Sequence, residues 1–159
     1  MERLNVICVD DQREVLSAVA QDLEPLSDWL VIEECESAKE AQELMDELDQ
    51  AGDLVAVLVS DHVMPNQTGI ELLTEVAHDP RFKHTKKVLL TGQATHSDTI
   101  TAINLAGIDH YFEKPWDANQ LRKAVQSLAS EYIFSQGLDY TLYQQYLDQD
   151  VVLKHLREV

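Results

Sequence analysis

Cysteine is scarce in this chain, basic residues are outnumbered, and no apolar run approaches the length of a membrane span. The two cysteines, Cys8 and Cys35, each lie in an apolar strand-like run with no CxxC pair or Cys/His cluster beside them. They read as buried free thiols of a reducing compartment. Lysine and arginine total 12 against 29 aspartates and glutamates, a formal net charge of −17. A nucleic-acid backbone or an anionic membrane needs basic patches, so neither is expected as a direct partner. The start, Met1-Glu2-Arg3-Leu4-Asn5, reaches acidic residues before any stretch that could serve as a signal peptide. A soluble cytoplasmic protein is the expectation. What is present suits one globular domain: 159 residues, 45% hydrophobic and 26% charged, exclude a disordered or fibrous chain.

Short β-rich runs alternate with longer amphipathic ones. Residues 4–9 read as a strand that stops at Asp10-Asp11. Val15, Leu16, Val19, Ala20 and Leu23 then recur at helical spacing until Pro25. A second strand over 29–35 precedes a helix capped by Ser37 and closed by Gly52. Residues 54–59 are apolar on both faces, as in a central strand of a parallel sheet covered on both sides. Ser60-Asp61, a loop with Pro65 and Gly69, and a helix over 68–78 follow. The rhythm repeats with a strand over 87–90 and a helix to Ala106 that Ser97 or Asp98 can cap. A last strand over 110–113 and a helix from Asp117 to about Phe134 complete it. Five strand–helix units imply an α/β doubly wound sheet with right-handed crossovers. Residues 1–134 form this unit, and 135–159 remain as a C-terminal helical extension or linker.

In such a sheet, ligands bind at the carboxyl ends of the strands. Four of those ends carry Asp10-Asp11, Asp61, Thr91 and Lys114. Three carboxylates at one rim repel one another and call for a divalent cation, and all-oxygen ligation suits Mg2+. Asp61, after the most apolar strand, is the nucleophile candidate, since a carboxylate attacking phosphorus gives an acyl phosphate. Lys114 supplies positive charge and Thr91 a hydroxyl for phosphoryl oxygens.

These motifs together resemble the receiver domain of response regulators, the CheY-like family of two-component signalling. The likeness covers about residues 4–134: Val9-Asp10-Asp11, Asp61 with Met64-Pro65 and Gly69, Thr91-Gly92, and Tyr111-Phe112-Glu113-Lys114-Pro115. The resemblance implies a five-stranded sheet of order 2-1-3-4-5 with five flanking helices. It implies that Asp61 accepts a phosphoryl group from a sensor histidine kinase or phosphotransfer protein. Asp11, Asp61 and the backbone of Val63 would ligate Mg2+, with Asp10 acting through water. Lys114 would pair with the phosphoryl group, the Lys114–Pro115 peptide would be cis, and Thr91 and Tyr111 would form a switch pair. Val63 is apolar where many relatives are polar, and Gln93 sits two residues after Thr91. In the family both positions tune the lifetime of the phosphoryl group.

Other readings stand beside this one. A metal-dependent aspartyl-nucleophile phosphatase uses a similar set but needs a second carboxylate two residues after the nucleophile, where this chain has Val63. A receiver-like binding module that is never phosphorylated is the third. His62 lacks a second ligand at metal spacing, Trp116 is expected near the mouth of the site, and the acidic stretch from Glu33 to Asp53 reads as a solvated face. Residues 138–157 read as a sixth helix, leading to an output domain or downstream protein or pairing in a homodimer. Leu142, Tyr146, Leu153 and Leu156 fall on one heptad seam with Asp139 and Gln149. The alternative is that this segment folds back onto its own domain or frays.

Overall fold

The computed structural model describes residues 2–92 and 97–158. Gln93 and the side chains of Ser97 and Asp98, the expected caps of the fourth helix, lie outside the described part. Five parallel strands, β1 (Leu4–Val9), β2 (Leu30–Cys35), β3 (Leu54–Asp61), β4 (Lys86–Thr91) and β5 (His110–Glu113), form one sheet in the order 2-1-3-4-5. The intervening helices are α1 (Arg13–Leu23), α2 (Ala38–Ala51), α3 (Gly69–Ala77) and α4 (Ser97–Ala106), and α5 (Ala118–Ser135) follows β5. The doubly wound α/β architecture is the one expected. The six residues of β3 before Ser60-Asp61 are all apolar, and seven of the strand's eight residues are buried, because helices cover both faces of this strand.

The sheet divides the core in two. Leu4, Val6, Cys8, Val57, Val59, Val88 and Leu90 face α1 and α5, while Ile7, Val9, Val55, Leu58 and Leu89 face the opposite layer. That alternation is the period-two geometry of a strand. Cys8 and Cys35 thus lie in different layers, both buried and free. Burial drives both thiols up, Cys35 to about 12. Neither can act as a thiolate near neutral pH.

One irregularity sets the register of the centre. Between Asn5 and Val6 the pairing of β1 with β3 slips, so Asn5 faces Val55 and Val6 faces Val57. Two buried side chains serve carbonyls at this bulge. The Asn5 amide donates to Leu54 O at 2.9 Å, and the Thr85 hydroxyl donates to Val55 O at 2.7 Å. Beyond the bulge Val9 is level with Ser60, which sets Asp10 beside Asp61.

The expected continuous helix over 138–157 is not what forms. After Gly137 in the left-handed region (φ 75°) the chain makes a short 3₁₀ turn (Tyr140–Leu142), an irregular stretch, and then α6 (Gln149–Arg157). Two local caps start these pieces: Asp139 accepts from the Thr141 N–H and Asp148 from the Asp150 N–H. The fold-back alternative is the one observed. Tyr143 is fully buried, Leu147 and Val152 nearly so, and all three join the core layer of α1 and α5. Tyr146, assigned to the heptad seam, instead stacks on Trp29 at 5.9 Å. Among the described residues no helix is long and apolar enough to cross a membrane.

Candidate functional site

The strand order reverses between β1 and β3, and the candidate residues gather at the carboxyl ends on either side of that point. Backbone bonds to neighbouring strands pin three of these strand ends. The Asp10 N–H donates to Cys35 O (3.1 Å), His62 N–H to Leu90 O (3.1 Å), and Lys114 N–H to Thr91 O (3.0 Å). The aspartates are not spent on capping α1, whose N-cap is Gln12 with no side-chain bond. Instead Asp10 Oδ1 accepts the Gln12 N–H at 2.8 Å.

Asp10, Asp11 and Asp61 each bring a carboxylate oxygen within 4.8 Å of the others; Asp10 and Asp61 are buried and Asp11 is exposed. Lys114 reaches in from the end of β5. Its Nζ donates to Asp61 Oδ1 at 2.6 Å and, more loosely, to Asp10 Oδ2 at 3.5 Å. The Lys114–Pro115 peptide is cis. Burial, and then the charge of Asp61, push the Asp10 carboxyl above its ordinary value; the Gln12 N–H and Lys114 oppose this. Asp10 therefore binds its proton more tightly folded than unfolded, so its contribution to stability falls as pH rises through that raised range. A hard divalent cation fits this donor set: three crowded oxygens, one at the solvent side, and a charge excess that one lysine does not cancel.

Thr91 is buried at the end of β4, and Tyr111 on edge strand β5 is 43% exposed. Val63 stands out from the loop with 69% of its surface exposed. His62 is half-buried; its Nδ1 is buried without a hydrogen-bond partner among the described residues, and burial holds its pKa low. Trp116, expected near the mouth of the site, is partly buried against the core layer of α1 and α5. Its indole N–H donates to Asp22 at the end of α1 (2.7 Å), where Arg122 Nε also donates to Asp22 O (2.8 Å). These two bonds tie α5 and the loop before it to α1, and Asp22 is a residue the sequence reading missed.

Gly69 has a role beyond opening α3. Its N–H donates to His62 O at 2.8 Å, and a Cβ built there would overlap the Asp61 carbonyl oxygen and lie 2.9 Å from its carbon. Backbone cannot yield as a flexible side chain does. Thr68 fixes the approach with a capping box, accepting from Glu71 N–H while Glu71 accepts from Thr68 N–H. The spacing Thr68-x-x-Glu71 is visible in the sequence and could have located this start. Gly69→Ala is expected to cost about 2–3 kcal/mol, the upper range for overpacking, and to displace Asp61. An unchanged urea midpoint would contradict this.

The response regulator receiver domain model matches residues 6–126. The chain belongs to that family. It is 31% identical over 127 residues to the response regulator Rre1 of Synechocystis sp., covering 80% of this chain and 52% of that protein. It is 28% identical over 123 residues to the chemotaxis protein CheY1 of Helicobacter pylori, covering 77% of this chain and 94% of the relative. The chain thus spans about half the length of the first and nearly all of the second. Among solved structures, the signal receiver domain of an HD domain-containing protein from Pseudomonas fluorescens superposes with a TM-score of 0.67. The two are 28% identical, and the match covers 79% of this chain and 93% of that one. The protein is a CheY-like receiver domain of two-component signalling.

Proposed function

We propose that Asp61 is the phosphoacceptor and that the chain carries a phosphoryl group as a signal rather than turning over a substrate. The observation that supports this most directly is the 2.6 Å contact of Lys114 with Asp61 inside the three-carboxylate cluster at the switch point. An Asp61 oxygen forms the bond to phosphorus as the N–P bond of a donor phosphohistidine breaks, and the leaving electron pair stays on the imidazole nitrogen. Lys114, already beside the reacting oxygen, meets the negative charge of the arriving group. Asp11, Asp61 and the backbone carbonyl of Val63 would hold Mg2+, with Asp10 acting through water. When bound, the ion neutralises phosphoryl and carboxylate charge. Thr91 offers its hydroxyl to the phosphoryl group, and Tyr111 is the aromatic partner of the switch. The donor is a sensor histidine kinase or phosphotransfer protein in the cytoplasm, and the reader is an output domain or downstream protein.

Hydrolytic turnover would require an acid–base group two residues after Asp61, and Val63 has no proton to give or take. Incubation with acetyl phosphate and Mg2+, followed by intact-mass measurement, tests the proposal. One stable phosphoryl addition that chelation prevents is expected. Continuous phosphate release at stoichiometric excess would favour the phosphatase, and an unchanged mass the unphosphorylated module.

A further inference from the structure

The fold-back of the C-terminal segment leaves a surface that the receiver chemistry does not use. Three of the exposed large hydrophobic residues, Leu142, Leu153 and Leu156, lie on this segment, and the latter two are 48% and 51% exposed on the outer side of α6. The segment is held firmly from beneath. Tyr143, Leu147 and Val152 are buried, the Ser130 hydroxyl accepts the Asp148 N–H (3.0 Å), Gln126 donates to Tyr146 O (2.9 Å), and His155 stacks on Phe134 at 4.0 Å. α6 is therefore a rigid ridge, and docking onto it costs little ordering entropy.

Its charges run in order. Asp150 stands in the first turn, Lys154 and Arg157 in the last. Among the described residues none of the three makes an ion pair within the chain. At spacings of four and seven they share one flank of the ridge that carries Leu153 and Leu156. When two identical helices pair antiparallel about a two-fold axis, each flank meets the same flank run backward. Asp150 then meets Arg157 of the second copy at both ends, Leu153 meets Leu156, and the central lysines extend to solvent.

We infer that α6 is the seat of a symmetric, antiparallel self-association of this chain, with a second copy as the occupant of its leucine ridge. The charge order favours this occupant over any other, since the face is complementary to itself. It does not depend on phosphorylation of Asp61. Two nine-residue helices bury well below the roughly 1,600 Å2 of a standard interface, which places the dimer in the weak, concentration-dependent class.

Sedimentation equilibrium of the full unphosphorylated chain, from micromolar to millimolar concentration, is the test. A monomer–dimer equilibrium is expected, abolished in Leu153→Glu/Leu156→Glu. Asp150→Arg and Arg157→Asp should each weaken association about fivefold, the scale of two exposed ion pairs. Combining the two reversals should restore it, because the pairs re-form with opposite sign. All these positions are exposed, so the unfolding midpoint should hardly move and checks that each variant is folded. A monomer at every concentration overturns the proposal. So does a dimer indifferent to the leucine changes, or a combined reversal as weak as the single ones.

Discussion

Asp61→Asn is expected to abolish phosphorylation by acetyl phosphate while leaving the fold intact. The amide is too poor a nucleophile to attack phosphorus, and neither neighbour can replace it. Asp10 Oδ1 is committed to the Gln12 N–H, and Asp11 lies on the exposed side of the cluster. Lys114 can still donate to the amide oxygen that replaces its nearest carboxylate, but its remaining ion pair would be the longer one to Asp10. The change should not destabilise the metal-free protein. Part of what raises the Asp10 carboxyl is the charge of Asp61, and removing that charge relieves the repulsion. Intact-mass spectra after incubation with donor and Mg2+, beside a thermal melt, check both halves. Undiminished labelling in Asp61→Asn would refute the assignment of the acceptor.

Tyr143→Ala is expected to lose about 3–5 kcal/mol, the range for deleting a fully buried aromatic ring. The ring lies against Trp29 with centroids 6.3 Å apart, and its hydroxyl donates to Glu2 O at 2.9 Å, closing the C-terminal segment onto the N-terminus. Against a typical domain stability of about 5–15 kcal/mol this is a large share. Tyr143→Phe separates the two contributions. It keeps the packing and loses one hydrogen bond, so about 1 kcal/mol should go. Guanidinium unfolding followed by Trp29 emission reads both variants, since Trp29 contacts Tyr143 and Tyr146 directly. Tyr143→Ala with wild-type stability would show that residues 138–158 are an appendage rather than part of the core.

The contrast between these two regions shows how far the amino-acid order reaches. The five strands, α1 to α3 and α5 were readable because short apolar runs, caps at Ser37 and Asp117, and breakers at Pro25 and Gly52 all agree, whereas the sheet order was implied only by the resemblance to receiver domains. The candidate site was readable for the same reason. Strands of one parallel sheet end at one rim, so residues far apart in the chain, Asp10, Asp61, Thr91 and Lys114, must converge there once the topology is known. The tail was not readable in this way. Leucines and tyrosines at 142, 146, 153 and 156 satisfy a heptad, yet the same residues also satisfy a broken path across a neighbouring surface. Periodicity records only which side chains are apolar. Which partner covers them is a property of the assembled domain.

The tertiary structure alone decided three further things. It placed Gly69 against the Asp61 carbonyl, turning an ordinary loop glycine into a requirement of the site. It tied Trp116 and Arg122 to Asp22, binding α5 and the loop before it to α1. And it slipped the register at Asn5, with Asn5 and Thr85 supplying hydrogen bonds to the Leu54 and Val55 carbonyls there. Each joins residues 30 or more apart, or a backbone atom to a side chain that is not there, or a pairing offset that no local pattern encodes. Sequence order determined the elements and the rim where the chemistry gathers, because those follow from local periodicity and strand direction. Close packing decided the rest, because steric fit and the satisfaction of buried polar groups exist only once distant segments are in contact.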